Sequence, residues 1–274
     1  MTDTLHRILP QVQKPARYVG GEYNQIVKDK RDVDVRVAFC FPDTYEIGMS
    51  NIGMRILYGL MNELPGVWCE RVFAPWGDME EKMREHAIPL YALESHDPVR
   101  AFDLIAFTIG YEMSYTNILN MLDLSGVPLL ARERKELENI VFAGGVCAVN
   151  PEPLADFIDF FSFGEGEEIT KEILACYRQA KKDGCSKEEF LLRVSRIDGV
   201  YVPSFYEHSY NPDGMLAAIT PKNGAPAKVR KRIVQDMDAA YFPISQYNLA
   251  GDRAEAVTGF GVQSGFLMIF KEHS

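Results

Sequence analysis

Apolar residues along this chain gather into short unbroken runs, and helically spaced stretches lie between them. The run DVRVAFCF, ending at Phe41, is mostly β-branched or aromatic and is bounded by Pro42, so it predicts a strand buried on both faces. Beyond it Ile52, Ile56, Leu57, Leu60, Met61 and Leu64 recur at helical spacing until Pro65 and Gly66 stop them. VWCERVFA predicts a second strand. The helix after it carries Met79, Met83 and Ala87 on one face, with Asp78 and Glu81 at capping-box spacing. FDLIAFTI (102–109) predicts a third strand, followed by a helix with Tyr115, Ile118, Leu119 and Leu122 on one face and Gly126 as its stop. NIVFAGG (139–145) and DFIDFFSFGEGE (156–167) add two more strand-then-glycine units, and a final helix runs from about Glu167 to Lys182.

Five strand-loop-helix units in about 150 residues predict an α/β, Rossmann-like, doubly wound and mostly parallel sheet, covered on both faces. Ligands of such sheets sit beyond the carboxyl ends of the strands, which directs attention to the tips at 43–51, 74–78, 110–116, 144–152 and 164–168. After about residue 185 the pattern changes to alternating aromatic and polar residues around the turn Asn211-Pro212-Asp213-Gly214. A small β-hairpin appendage is expected there, then a Pro- and Lys-rich connector. The expected division is an N-terminal extension (1–32), the sheet domain (33–184), the appendage and connector (185–243) and a divergent or truncated tail (244–274).

Charge and cysteine content narrow the function classes. The 274 residues carry a formal charge of −10, which disfavours nucleic acid or an anionic membrane as a partner. There is no apolar run of spanning length and no apolar leader core, so a cytoplasmic protein is expected. The five cysteines are scattered and suit reduced thiols.

The candidate chemistry lies at the tips. In CFPDTYEIGMSNIG (40–53), Asp43 is placed to cap the turn, Gly48 permits close backbone approach, and Ser50 sits where a helix N-cap belongs. Gly144 and Gly145 leave room over the sheet edge. Gly164, Glu165 and Gly166 precede a helix whose first turn is acidic, which discourages phosphate. Each of these is equally consistent with plain turn chemistry. No G-x-S-x-G occurs, the five histidines are isolated, and Lys228, Arg230, Lys231 and Arg232 form a basic cluster expected to be solvated. A flavodoxin-like nucleotide site is disfavoured because no phosphate-cradling glycine loop opens the first helix.

Asp43-x-Tyr45-x-x-Gly48, then Ser114-x-Thr116, then Gly144-Gly145 resembles the D-x-H-x-x-G, S-x-L, G-G signature of cobalamin-binding domains. GGEYN, WCERVFAPWGDMEEKMRE, SYTNILNMLDLSGVPL, AGGVCAVNPEPLADFID and KRIVQDMDAAYFP further resemble the N-terminal half of one group of radical S-adenosylmethionine proteins, over about residues 15–243. The resemblance implies a cobalamin pocket lined by Asp43, Thr44, Tyr45, Gly48, Ser114, Gly144 and Gly145, with Gly164, Glu165 and Gly166 at its rim and no catalytic residue. Two departures qualify it. Tyr45 stands where the signature has the histidine that ligates cobalt, and a neutral phenol is a poor ligand, so a corrin without a protein nitrogen is expected, with Tyr45 packed beneath the ring or donating to it. The CxxxCxxC that holds a [4Fe–4S] cluster for S-adenosylmethionine is absent, since no cysteine follows Cys185. The chain is therefore expected to serve a radical S-adenosylmethionine barrel that it does not itself contain. The competing expectation is a noncatalytic interaction module whose sheet-edge crevice is filled by its own side chains or by a partner, with Glu46, Tyr111 and Glu112 as able to plug the site as to line it.

Overall fold

Six buried apolar residues, interrupted only by Arg36, make β1 a central strand of the fold. The computed structural model describes residues 2–236 together with 238, 240, 241 and 243. A short helix α1 (Thr2–Ile8) precedes β1 (Val35–Phe41), α2 (Tyr45–Ser50), α3 (Ile52–Glu63), β2 (Val67–Phe73) and α4 (Gly77–Glu85). Then come β3 (Leu104–Thr108), α5 (Tyr115–Ser125), β4 (Ile140–Gly144), β5 (Phe160–Ser162), α6 (Gly166–Asp183), α7 (Lys187–Val194), β6 (Val200–Tyr201), β7 (Tyr206–Tyr210) and β8 (Leu216–Pro221).

The main sheet has the order β2-β1-β3-β4-β5-β6, and every pairing is parallel except β5 with β6. Alternate residues of the strands feed two separate cores, as the pleat requires. Ala38, Cys40, Ile105, Phe107 and Val141 face Met79 and Met83 of α4 and Ile118 and Leu122 of α5. Val37, Phe39, Leu104, Ala106 and Phe142 face Met54 and Tyr58 of α3, Ile173 and Tyr177 of α6, and Phe190 of α7. Helices thus cover both faces, and the mostly parallel α/β architecture is as the sequence pattern predicts.

Four local features differ from the sequence expectations. The tip at 43–51 is not an open loop, because Tyr45–Ser50 winds into α2. The N-cap of α3 is Asn51, whose Oδ1 accepts from the Met54 amide at 2.9 Å, while Ser50 donates back to the Glu46 carbonyl. Asp78 makes no capping box. Trp76 is the N-cap of α4, and Asp78 accepts instead from the Gln13 amide at 2.6 Å, tying down the N-terminal segment. A true capping box occurs at Ser186 and Glu189, where it starts α7, a helix that the aromatic-rich pattern after 185 hides. Lys187 then anchors that helix through Asp159 at 2.6 Å, and Asp159 also pairs with Arg134 at 3.0 Å and accepts from the Val141 amide.

The sheet also extends past residue 184, since β6 joins β5 antiparallel. The expected hairpin is present as β7 and β8 and projects beyond it. The other edge strand, β2, has all seven residues buried. The N-terminal segment lies over it: the Trp68 indole donates to the Ile26 carbonyl, and Lys28 Nζ donates to the Asn62 and Val67 carbonyls. The tail at 244–274 lies outside the described residues.

Candidate functional site

The order 2-1-3-4-5 reverses direction between β1 and β3, so the crevice of a doubly wound sheet opens above the carboxyl ends of these two strands. Asp43 and Ser114 both reach this crevice. The Asp43 carboxylate accepts from the Thr44 amide at 2.7 Å on one oxygen and from the Tyr111 hydroxyl at 2.8 Å on the other. Tyr111 therefore reaches across the switch point from the β3 tip to the β1 tip, and this bond, ahead of burial, raises its pKa. Ser114 is buried and donates to the Tyr111 carbonyl at 2.7 Å, which holds the turn that presents Tyr111. Asn117 donates to the Pro42 carbonyl at 2.9 Å and ties α5 to the same tip. Thr44 N-caps α2 through its backbone only.

Tyr45 and Gly48 turn away from the crevice. Tyr45 is 2% exposed, packs edge-on against Phe73 with ring centroids 5.2 Å apart, and donates to Glu22 at 2.8 Å. Burial first, then the Glu22 charge, pushes its phenol well above the ordinary tyrosine range. Glu22 belongs to a buried ionic cluster centred on Arg71, which pairs with Glu22 at 2.8 Å and with Glu94 at 2.6 Å and lies against the Tyr58 ring. Burial opposes the Arg71 charge, but the two carboxylates outweigh it and raise its pKa; burial likewise raises Glu94 against the pull of Arg71. Gly48 is needed because a Cβ there would strike the Phe73 ring.

The remaining glycines serve chain-to-chain contacts. A Cβ on Gly144 would press on Ser162 Oγ, and one on Gly145, at φ +106°, would enter the Ile109 backbone. The β3 and β4 tips are stitched there, since the Ile109 amide donates to the Gly144 carbonyl at 2.7 Å and the Cys147 amide to the Ile109 carbonyl at 3.2 Å. Gly164, at φ +103°, lies flat against the Arg232 backbone. Arg232 N–H donates to the Phe163 carbonyl at 2.8 Å, the Glu165 amide donates to the Arg232 carbonyl at 3.0 Å, and the Glu165 side chain accepts from the Val234 amide. Gly166 rests on Leu57.

These observations bear directly on a corrin. The Tyr45 phenol, and the space left at Gly48, Gly145, Gly164 and Gly166, are taken up by the protein's own packing. The Tyr45 hydroxyl is already given to Glu22, so Tyr45, Gly48, Gly145, Gly164 and Gly166 do not fit the group as expected, whereas Asp43 and Ser114 do reach the crevice. Glu46 is no plug either, because Lys14 and Arg17 hold it at 3.2 and 2.9 Å. Nor is Arg232 solvated as the basic cluster suggests: it spans Glu168 at 3.1 Å and Glu172 on α6.

What the tips do present is apolar surface. Ile47, Trp76, Tyr111, Met113, Val146 and Val149 come from four successive crossovers at one end of the sheet, and all are exposed, Met113 by 83% and Val146 by 75%. Sequence reasoning located the tips but missed this character, because isolated apolar residues in turns have no period. Their only trace is the placing of Met113, Val146 and Val149 inside otherwise small or polar loops. Beside them Cys147 donates to the Gly110 carbonyl at 3.4 Å, and burial, then Glu112, raises its thiol pKa. Among the described residues no three His, Cys, Asp or Glu side chains are placed to hold a metal ion, and no helix is long and apolar enough to cross a membrane.

Fold and tips together define a doubly wound α/β domain with exposed apolar residues at the strand ends. Residues 53–203, more than half of the chain, match the family described as radical SAM proteins, N-terminal, and the chain belongs to that family. An uncharacterized protein of Methanocaldococcus jannaschii is 29% identical over 143 residues, 50% of this chain and 26% of that protein. The chain thus spans about a quarter of the length of that relative. No solved structure matches.

Proposed function

We propose that this chain is a noncatalytic partner domain that docks onto a radical S-adenosylmethionine barrel through the strand-end face. The barrel supplies the iron–sulfur cluster and S-adenosylmethionine chemistry, and this domain supplies a shaped apolar surface beside it. The observation that carries the proposal is the set of exposed apolar residues on the loops at the carboxyl end of the sheet, since apolar surface gathered at one end of a domain marks an interaction site. Interfaces gain most of their energy from a few large side chains, and Trp76 and Met113 are large and exposed on this face.

The test is sedimentation of the chain with a barrel domain reconstituted with its cluster. Trp76→Ser with Met113→Glu is expected to weaken association at least about tenfold. Unchanged association would refute the docking face. Titration with hydroxocobalamin separates the alternative: no saturable change in the corrin spectrum is expected. A saturable change that Gly144→Trp abolishes would overturn the proposal in favour of a corrin carrier.

A further inference from the structure

The connector that follows β8 is bolted to the domain at two separated places. The first bolt is the Arg232 backbone, bridged between Phe163 and Glu165 at the end of β5, with the Arg232 guanidinium on Glu168 and Glu172. The second lies nine residues on. Tyr241 is half-buried against the α3 side of the core, and its ring fills the space where a Cβ of Gly59 would be.

Gly59 is otherwise out of place. It is the eighth of the twelve residues of α3, in the helix interior, where glycine is about 1 kcal/mol less favourable than alanine. Its φ lies outside the left-handed region, so backbone conformation does not demand glycine, and no turn is made there. The contact with Tyr241 accounts for it: the helix gives up intrinsic stability and gains a notch.

We propose that the connector is strapped to this domain at Arg232 and again at Tyr241, with Gly59 as the keyhole for Tyr241.

The test uses Gly59→Ala, Tyr241→Ala and the double variant in the full chain, read by hydrogen exchange and thermal melting. In the unmodified background Gly59→Ala is expected to speed exchange of the peptide spanning 232–243 at least about tenfold while α3 stays protected, and to lower Tm. In the Tyr241→Ala background the same substitution is expected to raise Tm, because alanine is then only a better helix former. This reversal of sign separates a keyhole from a helix that merely tolerates glycine. A rise in Tm in both backgrounds, or unchanged exchange of 232–243, would overturn the strap whatever the barrel binds. A reversal of sign in a chain that fails to bind a barrel would leave the strap standing and refute docking alone.

Discussion

Replacing Tyr45 by Phe removes one hydroxyl, and the structure states where the loss falls. The hydroxyl is a donor to Glu22, a carboxylate 5% exposed whose other oxygen is held by Arg71. A hydrogen bond to a buried charged acceptor is worth about 1.5–3 kcal/mol, and both partners are buried, so a loss of about 2 kcal/mol is expected. For a domain of this size that corresponds to a fall in Tm of about 4–8 °C. The assay is urea and thermal unfolding of the wild type, Tyr45→Phe, Glu22→Gln and the double variant, with hydrogen exchange at residues 18–26 to show that the N-terminal segment loosens. The cycle is expected to give a coupling of about 1–2 kcal/mol, since the two groups touch. A phenol lining an open cofactor crevice behaves differently: Tyr45→Phe then changes stability by no more than about 0.5 kcal/mol. That outcome, with an additive cycle, would refute the placement of Tyr45.

Further expectations follow from other buried groups. Burial, opposed by Ser95 and Arg36, pushes the Glu70 carboxyl up to about 6. The folded protein therefore holds this proton more tightly than the unfolded chain, so its contribution is fully present below about pH 4.5 and is lost as pH rises through 6, up to about 2 kcal/mol. The stability difference between the wild type and Glu70→Gln should shift by that amount, in that direction, between pH 4 and 7; a constant difference would contradict it. Asp159→Ala strands Arg134 and Lys187 and is expected to cost about 3–5 kcal/mol, measured by urea unfolding. Cys147 should react with iodoacetamide more slowly than a free thiol at pH 7.5, and Glu112→Gln should speed it severalfold; equal rates would remove Glu112 from its surroundings.

The architecture was legible because each buried strand writes a short, mostly apolar run and each covering helix a 3.6-residue period, as in Val35–Phe41 and the face of Ile118 and Leu122. α7 was not, because its apolar face is short and the aromatic residues after it suggested strands. The tips were found from topology alone, but their roles were not. The spacing of Asp43, Tyr45 and Gly48 carries no information about which way Tyr45 points. That depends on Glu22, 23 residues upstream, and on Arg71, 26 downstream, which only the folded chain brings together. Glycines behave similarly. Gly48, Gly145 and Gly164 are required by Phe73, Ile109 and Arg232, so a glycine motif in a strand-end loop reports close approach without saying whether a ligand or the chain itself approaches.

The burial of β2 has a consequence for how the protein behaves when crowded. An edge strand normally offers a row of free amide and carbonyl groups to any passing strand, and seven buried residues in such a position would be a template for aggregation. Here the outer side of β2 is closed by groups that cannot propagate a sheet. The Arg71 amide donates to the Glu94 carboxylate, the Arg71 carbonyl accepts from Leu93, and the N-terminal segment lies over Trp68. The opposite edge ends in the two-residue antiparallel β6. The Arg71 cluster is thus also a device against self-association, and the segment that carries Glu22 acts as the sheet's seal.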